Sequence, residues 1–263
     1  MVAGFPHVRC HECGTVLVSP LPSPEVVQAT YLDPEYHGDV SASEERMRAE
    51  ARARARVMQA RGCQRVLEIG CGAGFFIEAL LELGIAAEGV DPGPQARRAA
   101  ARGLPIHTIW LEEHVPAAPY DGIAMFEVIE HLPEPVDALR WSHRHMRAGG
   151  TLALSTPSAS GLPARVLGRR FPMLCPPNHL EVFSRAGVAA LLRRSGFRAF
   201  RWDSFSNLDH AALRRSFQRY FLGGSPPARV VAEALATIAR VPVRLVDRAG
   251  LGISFEIYAE PFA

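Results

Sequence analysis

Beyond Gln64 the chain alternates short apolar runs with stretches of helical period. The runs at 65–69, 86–90, 106–110, 122–126, 151–155, 197–203 and 253–259 predict strands, the last rich in aromatic and β-branched residues. Between them, 74–83, 94–101, 135–146 and 185–195 predict helices. Strands that alternate with helices in this way predict an α/β fold: a doubly wound, mostly parallel sheet of about seven strands.

The flanking segments read differently. Residues 43–62 (SEERMRAEARARARVMQARG) have a capping-type start, strong helix formers and a terminal glycine, and predict a helix. Its six arginines between Arg46 and Arg61 are interspersed with Glu44, Glu45 and Glu50, so the reading is a solvated face rather than a nucleic-acid grip. Residues 1–42 are proline-rich with little periodicity and read as a small appendage. Between the last two strands, 204–252 look helical in two pieces broken by Gly223-Gly224-Ser225-Pro226-Pro227, an insertion long for a connector. The expected organisation is an appendage at 1–42, a core at 43–203, and at 204–263 a helical insertion or lid plus the last core strand.

Charge and composition narrow the chemistry. All 29 basic residues are arginine, so no lysine is present to form a Schiff base or a Walker phosphate contact. A net charge of +2 does not favour a nucleic-acid-coating protein. No uninterrupted apolar stretch is long enough for a transmembrane helix, no secretory pattern opens the chain, and the five cysteines do not form a disulfide framework. A reducing, cytoplasmic setting is the expectation. Cys10 and Cys13 have zinc-ligand spacing, but only His7 and His11 lie nearby, so bound zinc there is not expected.

The chemistry concentrates at Val66-Leu67-Glu68-Ile69-Gly70-Cys71-Gly72-Ala73-Gly74-Phe75, a strand running into three alternating glycines and then a helix. Glycines let backbone approach a ligand without an intervening Cβ. The dinucleotide fingerprint fails, because Phe75 takes the place of its last glycine. No arginine lies between Val66 and Gly84 to meet a pyrophosphate, whereas Glu68, Glu78 and Glu82 bring negative charge. Asp91 follows Glu68 by 23 residues, directly after a predicted strand, where a carboxylate can accept ribose hydroxyls. A nucleoside carrying positive groups fits, and S-adenosylmethionine is such a molecule.

VLEIGCGAG, the acid of GVDPG, YDGIAMFEVIEHLPEP, HMRAGGTLALSTPS and HLEVFS with LLRRSGF resemble the class I S-adenosylmethionine-dependent methyltransferases over about residues 65–202. The run is most similar to the small-molecule branch, which includes ubiquinone-biosynthesis O-methyltransferases and sugar or natural-product methyltransferases. Cys13-Gly14 and the following TVLVSPLPSPE resemble half of a zinc ribbon. The resemblance implies a Rossmann-like sheet and methyl transfer to a small-molecule acceptor. A hydroxyl oxygen is the first expectation; C- or N-methylation of a sugar or natural-product intermediate, or a non-catalytic binding module, are the alternatives. It also implies that Gly70, Gly72 and Gly74 line the methionine part, Glu68 orders the loop, Asp91 holds the ribose, Leu111 and Glu112 meet adenine, and Phe126 and Glu127 lie beside the methyl group.

Methyl transfer requires an aligned acceptor and, where that acceptor carries a proton, a base. His131 and His179 are the candidates. Glu130 and His131 follow Glu127 by three and four residues, which places all three on one face if a helical turn begins at Glu127. The ubiquinone-type enzymes imply magnesium or a similar ion at such a run, hence Glu127, Glu130 and His131 as candidate ligands. Residues 164–174 mix arginines with Val166, Leu167, Phe171 and Met173, and remain open as a lid or a peripheral membrane contact. RNA methylation is disfavoured, since the string nearest to the base-methylase tetrad is Ser155-Thr156-Pro157-Ser158. The sequence does not identify the acceptor or the oligomeric state.

Overall fold

In the computed structural model, residues 4–33, 43–206, 214, 218, 223 and 225–262 are described. The strands are β1 (His7–Arg9), β2 (Val16–Val18), β3 (Arg65–Ile69), β4 (Ala86–Val90), β5 (Ile106–His107), β6 (Tyr120–Phe126), β7 (Met146–Pro157), β8 (Glu181–Val182), β9 (Phe197–Phe205) and β10 (Ser254–Pro261). The helices are α1 (Pro24–Leu32), α2 (Glu44–Ala60), α3 (Phe75–Glu82), α4 (Pro94–Ala101), α5 (Pro135–His145), α6 (Leu162–Leu167), α7 (Arg185–Arg194) and α8 (Pro226–Arg248).

Seven strands form one sheet in the order β5-β4-β3-β6-β7-β10-β9. β3 to β7 run parallel, and β10 lies antiparallel between β7 and β9. Parallel neighbours need long crossovers, which α3, α4 and α5 supply. Strand alternation feeds two cores. Leu67, Ile123 and Met125 turn toward α5 and α7 with Leu139, Val188 and Leu192, whereas Val66 and Ala124 turn toward α2 and α3 with Met58, Phe76 and Leu80. The order reverses at β3, which has β4 and β5 on one side and β6 on the other. In an open sheet this switch point is where the strand-end loops part into a ligand crevice.

Two expectations change. The strand expected at 106–110 is only Ile106–His107, because the chain leaves the sheet edge and Trp110 opens a 3-10 turn, Leu111–Glu113. No helical turn begins at Glu127, which takes a left-handed φ of 55°; the turn is Ile129–His131. The helix at Glu44–Ala60 has the expected solvated face, with Arg52 and Arg56 exposed, and buries Ala51, Ala55 and Met58 against the sheet on its other side. The appendage forms a hairpin that pairs with β8. Of the expected helical insertion, α8 is seen, while most of the first piece lies outside the described residues. No helix among the described residues is long and apolar enough to cross a membrane.

Candidate active site

The loop after β3 is shaped by backbone that only glycine adopts readily. Gly70, Gly72 and Gly74 have φ of 70°, 47° and 79°. A Cβ on Gly70 would meet Val128 Cγ2 at 2.5 Å, and one on Gly74 would meet Leu104 Cδ1 at 2.5 Å, so these two glycines serve internal packing. Gly72 is different: its nearest neighbour would be Gln95 Oε1 at 3.9 Å, because that side opens into a cavity.

Asp91, at the end of β4, closes the loop. Its Oδ2 accepts from Gly72 N–H at 2.8 Å, and its Oδ1 accepts from Gly93 N–H at 2.6 Å and from the Tyr31 hydroxyl at 3.1 Å. The in-register parallel pair β3–β4 (Leu67 opposite Glu88) brings the glycine loop and Asp91 together. Tyr31 comes from α1, so the appendage reaches the site, and its ring lies 6.0 Å from that of Trp110. Glu68 is buried, and its Oε2 has no hydrogen-bond partner among the described residues. Burial pushes its carboxyl well above the usual range, an effect the Arg54 guanidinium opposes and the Asp91 carboxylate reinforces. A buried acid with an unsatisfied oxygen beside a Cβ-free surface suits a ligand that carries an ammonium group.

These groups line one cavity of about 2120 Å³. That exceeds the few hundred to a thousand cubic ångströms usual for one ligand, so a nucleoside and a second molecule both fit. Glu68, Gly70, Gly72, Asp91, Leu111, Glu112, Phe126, Glu127 and His131 all line it, whereas Gly74, Glu130 and His179 do not. An apolar cluster of Leu167, Phe171, Met173 and Ile253 forms part of the wall, which elsewhere carries Arg46, Glu50, Arg214 and Gln218.

Glu127 is the one non-glycine residue of positive φ among the described residues, the kind of strain that gathers at ligand sites. Ser155 secures it: the Glu127 N–H donates to the Ser155 carbonyl at 3.0 Å, and the Ser155 hydroxyl donates to Glu127 Oε1 at 2.9 Å. The Glu127 carboxyl is open to the cavity yet walled by protein, and desolvation raises its pKa against the opposing Ser155 hydrogen bond.

The turn that follows brings His131 to the cavity wall with Glu130 fully buried behind it. The His179 ring lies 4.8 Å from that of His131, edge to face. The cation-compatible group formed here is therefore Glu130, His131 and His179, without Glu127. A second such group, Glu88, His107 and His114, lies around the β4–β5 edge, and neither group includes Cys10 or Cys13.

Sequence reasoning missed two contributors to this cavity. Tyr31 gives no local signal that it meets a residue 60 positions away. Arg54 lies in an arginine-rich helix that reads as solvated, yet its guanidinium stacks 4.0 Å over the Phe126 ring and pairs with Glu256 at 2.7 Å. Its position is legible only from the buried stripe Ala51, Ala55, Met58 on the same helix.

A family profile described as "Methyltransferase domain" matches residues 38–200, more than half of the sequence. The chain belongs to the methyltransferase-domain family. The "Ubiquinone biosynthesis O-methyltransferase" of Pseudomonas aeruginosa (strain LESB58) is 33% identical over 103 residues, covering 35% of this chain and 44% of the relative. The protein of the same description from Sodalis glossinidius is 34% identical over 100 residues, covering 35% and 40%. The chain thus spans less than half the length of these relatives. Among solved structures, an S-adenosylmethionine-dependent methyltransferase from Archaeoglobus fulgidus superposes with a TM-score of 0.56 at 22% identity, over 81% of this chain and 94% of that one. Magnesium protoporphyrin IX methyltransferase from Synechocystis PCC 6803, solved with S-adenosylhomocysteine, superposes with a TM-score of 0.55 at 16% identity, over 89% and 92%. These likenesses establish the class I methyltransferase fold.

Proposed function

We propose that the chain transfers a methyl group from S-adenosylmethionine to a hydroxyl oxygen of a small molecule. One observation carries the reading: the Asp91–Gly72 cradle and the imidazole of His131 open into the same cavity. When bound, the sulfonium supplies an electrophilic methyl group, so the protein's work is alignment and proton handling. In this reading Asp91 accepts from the ribose, and the open side of Gly72 admits the methionine part. Glu68 ionises against the ammonium, and Leu111 and Glu112 flank the adenine with Trp110. Phe126 and Glu127 bound the transfer point, where Glu127 holds its position through Ser155.

The acceptor then lies against the apolar cluster Leu167, Phe171, Met173 and Ile253, and its hydroxyl is activated at His131, the one imidazole among the described residues that lines the cavity. The oxygen acceptor draws on the relatives' printed description as O-methyltransferases. In this reading residues 43–203 form the cofactor-binding core, 1–42 the appendage that lends Tyr31, and 204–263 the lid-side insertion with the last core strand.

The test is incubation of the full chain with methyl-labelled S-adenosylmethionine and a panel of phenols, catechols and aliphatic alcohols. Label recovered as a methyl ether supports the reading. Label recovered only on carbon or nitrogen, or none with any hydroxyl, contradicts it.

A further inference from the structure

The outer face of α8 fits a lipid surface: we propose that this helix lies along the interface of an anionic bilayer and holds the chain there. α8 is 23 residues long and apolar on two sides. Inward, Ala232 and Ala236 are fully buried, Leu235, Val243 and Val246 are half-buried, and the helix packs on β9. That contact covers the one apolar stripe that an amphipathic helix of a globular domain ordinarily carries. A second stripe points outward. Val231, Ile238 and Leu245 recur at seven-residue intervals, hence on one face, and are 46%, 69% and 57% exposed. Val230, at 71%, widens it. Single exposed apolar side chains are ordinary, whereas a stripe running about 21 Å, at 1.5 Å per residue, is a surface built to be covered.

The border of the stripe is cationic. On a wheel of 3.6 residues per turn centred on Ile238, Arg248 falls about 80° and Arg244 about 120° to one side. Both are exposed, and neither makes an ion pair among the described residues. The acids of the helix are engaged elsewhere: Asp247 Oδ1 accepts from the Ser206 hydroxyl at 2.5 Å, and Glu233 pairs with Arg214 at 3.5 Å. An apolar arc bordered by arginine complements anionic headgroups, since the aliphatic stems lie along the apolar surface while the guanidinium groups reach phosphate. A second copy of the chain would instead bring the same arginines into one contact, where like charges repel.

The depth of the contact follows from the backbone. Pro242 lies inside the helix and deprives the Ile238 carbonyl of its helical donor. Water among the headgroups can hydrate such a group, and hydrocarbon cannot. α8 therefore rests at the interface, in keeping with a helix too polar to cross the bilayer.

The test sediments the full chain at low salt with sucrose-loaded vesicles, either pure phosphatidylcholine or roughly two parts phosphatidylcholine to one part phosphatidylglycerol. Saturable binding to the mixed vesicles is expected, at least about tenfold tighter than to the neutral ones and weakened by added salt. Ile238→Glu, at an exposed position, is expected to weaken that binding by at least about tenfold with an unchanged unfolding midpoint, because it sets a charge in the apolar stripe. Arg244→Gln combined with Arg248→Gln is expected to remove most of the preference for anionic vesicles and to leave binding to neutral ones as it was. No binding to the mixed vesicles, or binding that Ile238→Glu leaves unchanged, would overturn the proposal. So would a chain that pairs with itself in analytical ultracentrifugation, loses that pairing through Ile238→Glu and does not sediment with lipid, since the face would then belong to a second copy. The binding does not depend on the methyl-transfer reading, on which S-adenosylhomocysteine titration of the same preparation reports separately.

Discussion

Replacing Asp91 with asparagine tests the cofactor cradle with almost no change in shape. Both carboxylate oxygens of Asp91 accept from backbone, Oδ2 from Gly72 and Oδ1 from Gly93, and the side chain is 2% exposed. An amide offers one oxygen and one NH2, so in either flip the NH2 faces a backbone N–H. That donor-on-donor contact leaves one buried N–H unsatisfied, at about 1–3 kcal/mol. The unfolding midpoint should fall by roughly 2–4 °C for each kcal/mol, as expected for a domain of this size. The larger effect falls on binding. Charged hydrogen-bond partners contribute about 1.5–3 kcal/mol, so loss of the charge opposite the ribose hydroxyls should weaken S-adenosylhomocysteine by roughly 10- to 100-fold. Isothermal titration well below the unfolding midpoint, with circular dichroism on the same sample, separates the two effects. Wild-type affinity within a factor of two in a folded Asp91→Asn protein would refute the assignment.

Other outcomes follow from the same geometry. Gly72→Val should abolish S-adenosylhomocysteine binding, because its side chain points into the cavity, and should also lower the unfolding midpoint, because a β-branched residue is strained at the φ of 47°. Gly70→Ala and Gly74→Ala should lower the unfolding midpoint, because their added carbons strike Val128 and Leu104; thermal melts with ligand titrations distinguish the two classes. Glu68→Gln should flatten the dependence of stability on pH. Burial raises the folded-state pKa of Glu68, so the native chain keeps a proton that the unfolded chain releases, and wild-type stability falls as pH rises above about 4.3 toward the folded value. Urea unfolding should therefore show the variant gaining on wild type between pH 5 and pH 8, and a constant gap would contradict the shift. Tyr31→Phe should cost S-adenosylhomocysteine less than about 1 kcal/mol, the scale of one neutral hydrogen bond. Tyr31→Ala should cost more, since it also removes the ring beside Trp110, and equal losses would deny the ring any part.

The legible parts of this molecule are those fixed by short-range pattern. The strands Arg65–Ile69 and Ala86–Val90 fall where their mostly apolar runs lie: Val66 to Ile69 are buried between neighbouring strands, and the second strand is buried at its Gly89–Val90 end. Their adjacency is the default for a right-handed crossover, which is why Glu68 and Asp91 could be paired from spacing alone. What spacing could not reach depends on chain reversals. His179 meets His131 only because the chain beyond β7 doubles back and Leu180 bonds to the Glu130 carbonyl. The face shared by Glu127, Glu130 and His131 assumed helical periodicity, and the left-handed Glu127 breaks it: its carboxyl bonds Ser155 and meets that of the buried Glu130, but does not join Glu130, His131 and His179 in one cluster. Strand β5 ended early because, at the sheet edge with a single neighbour, the chain was free to turn Trp110 toward Tyr31.

A co-crystal structure of the full chain with S-adenosylhomocysteine tests the central claim most directly. The account predicts ribose hydroxyls at the Asp91 carboxylate, the amino acid part along the open side of Gly72, and the sulfur directed past Phe126 toward His131. A ligand bound elsewhere, or a ribose away from Asp91, would contradict it.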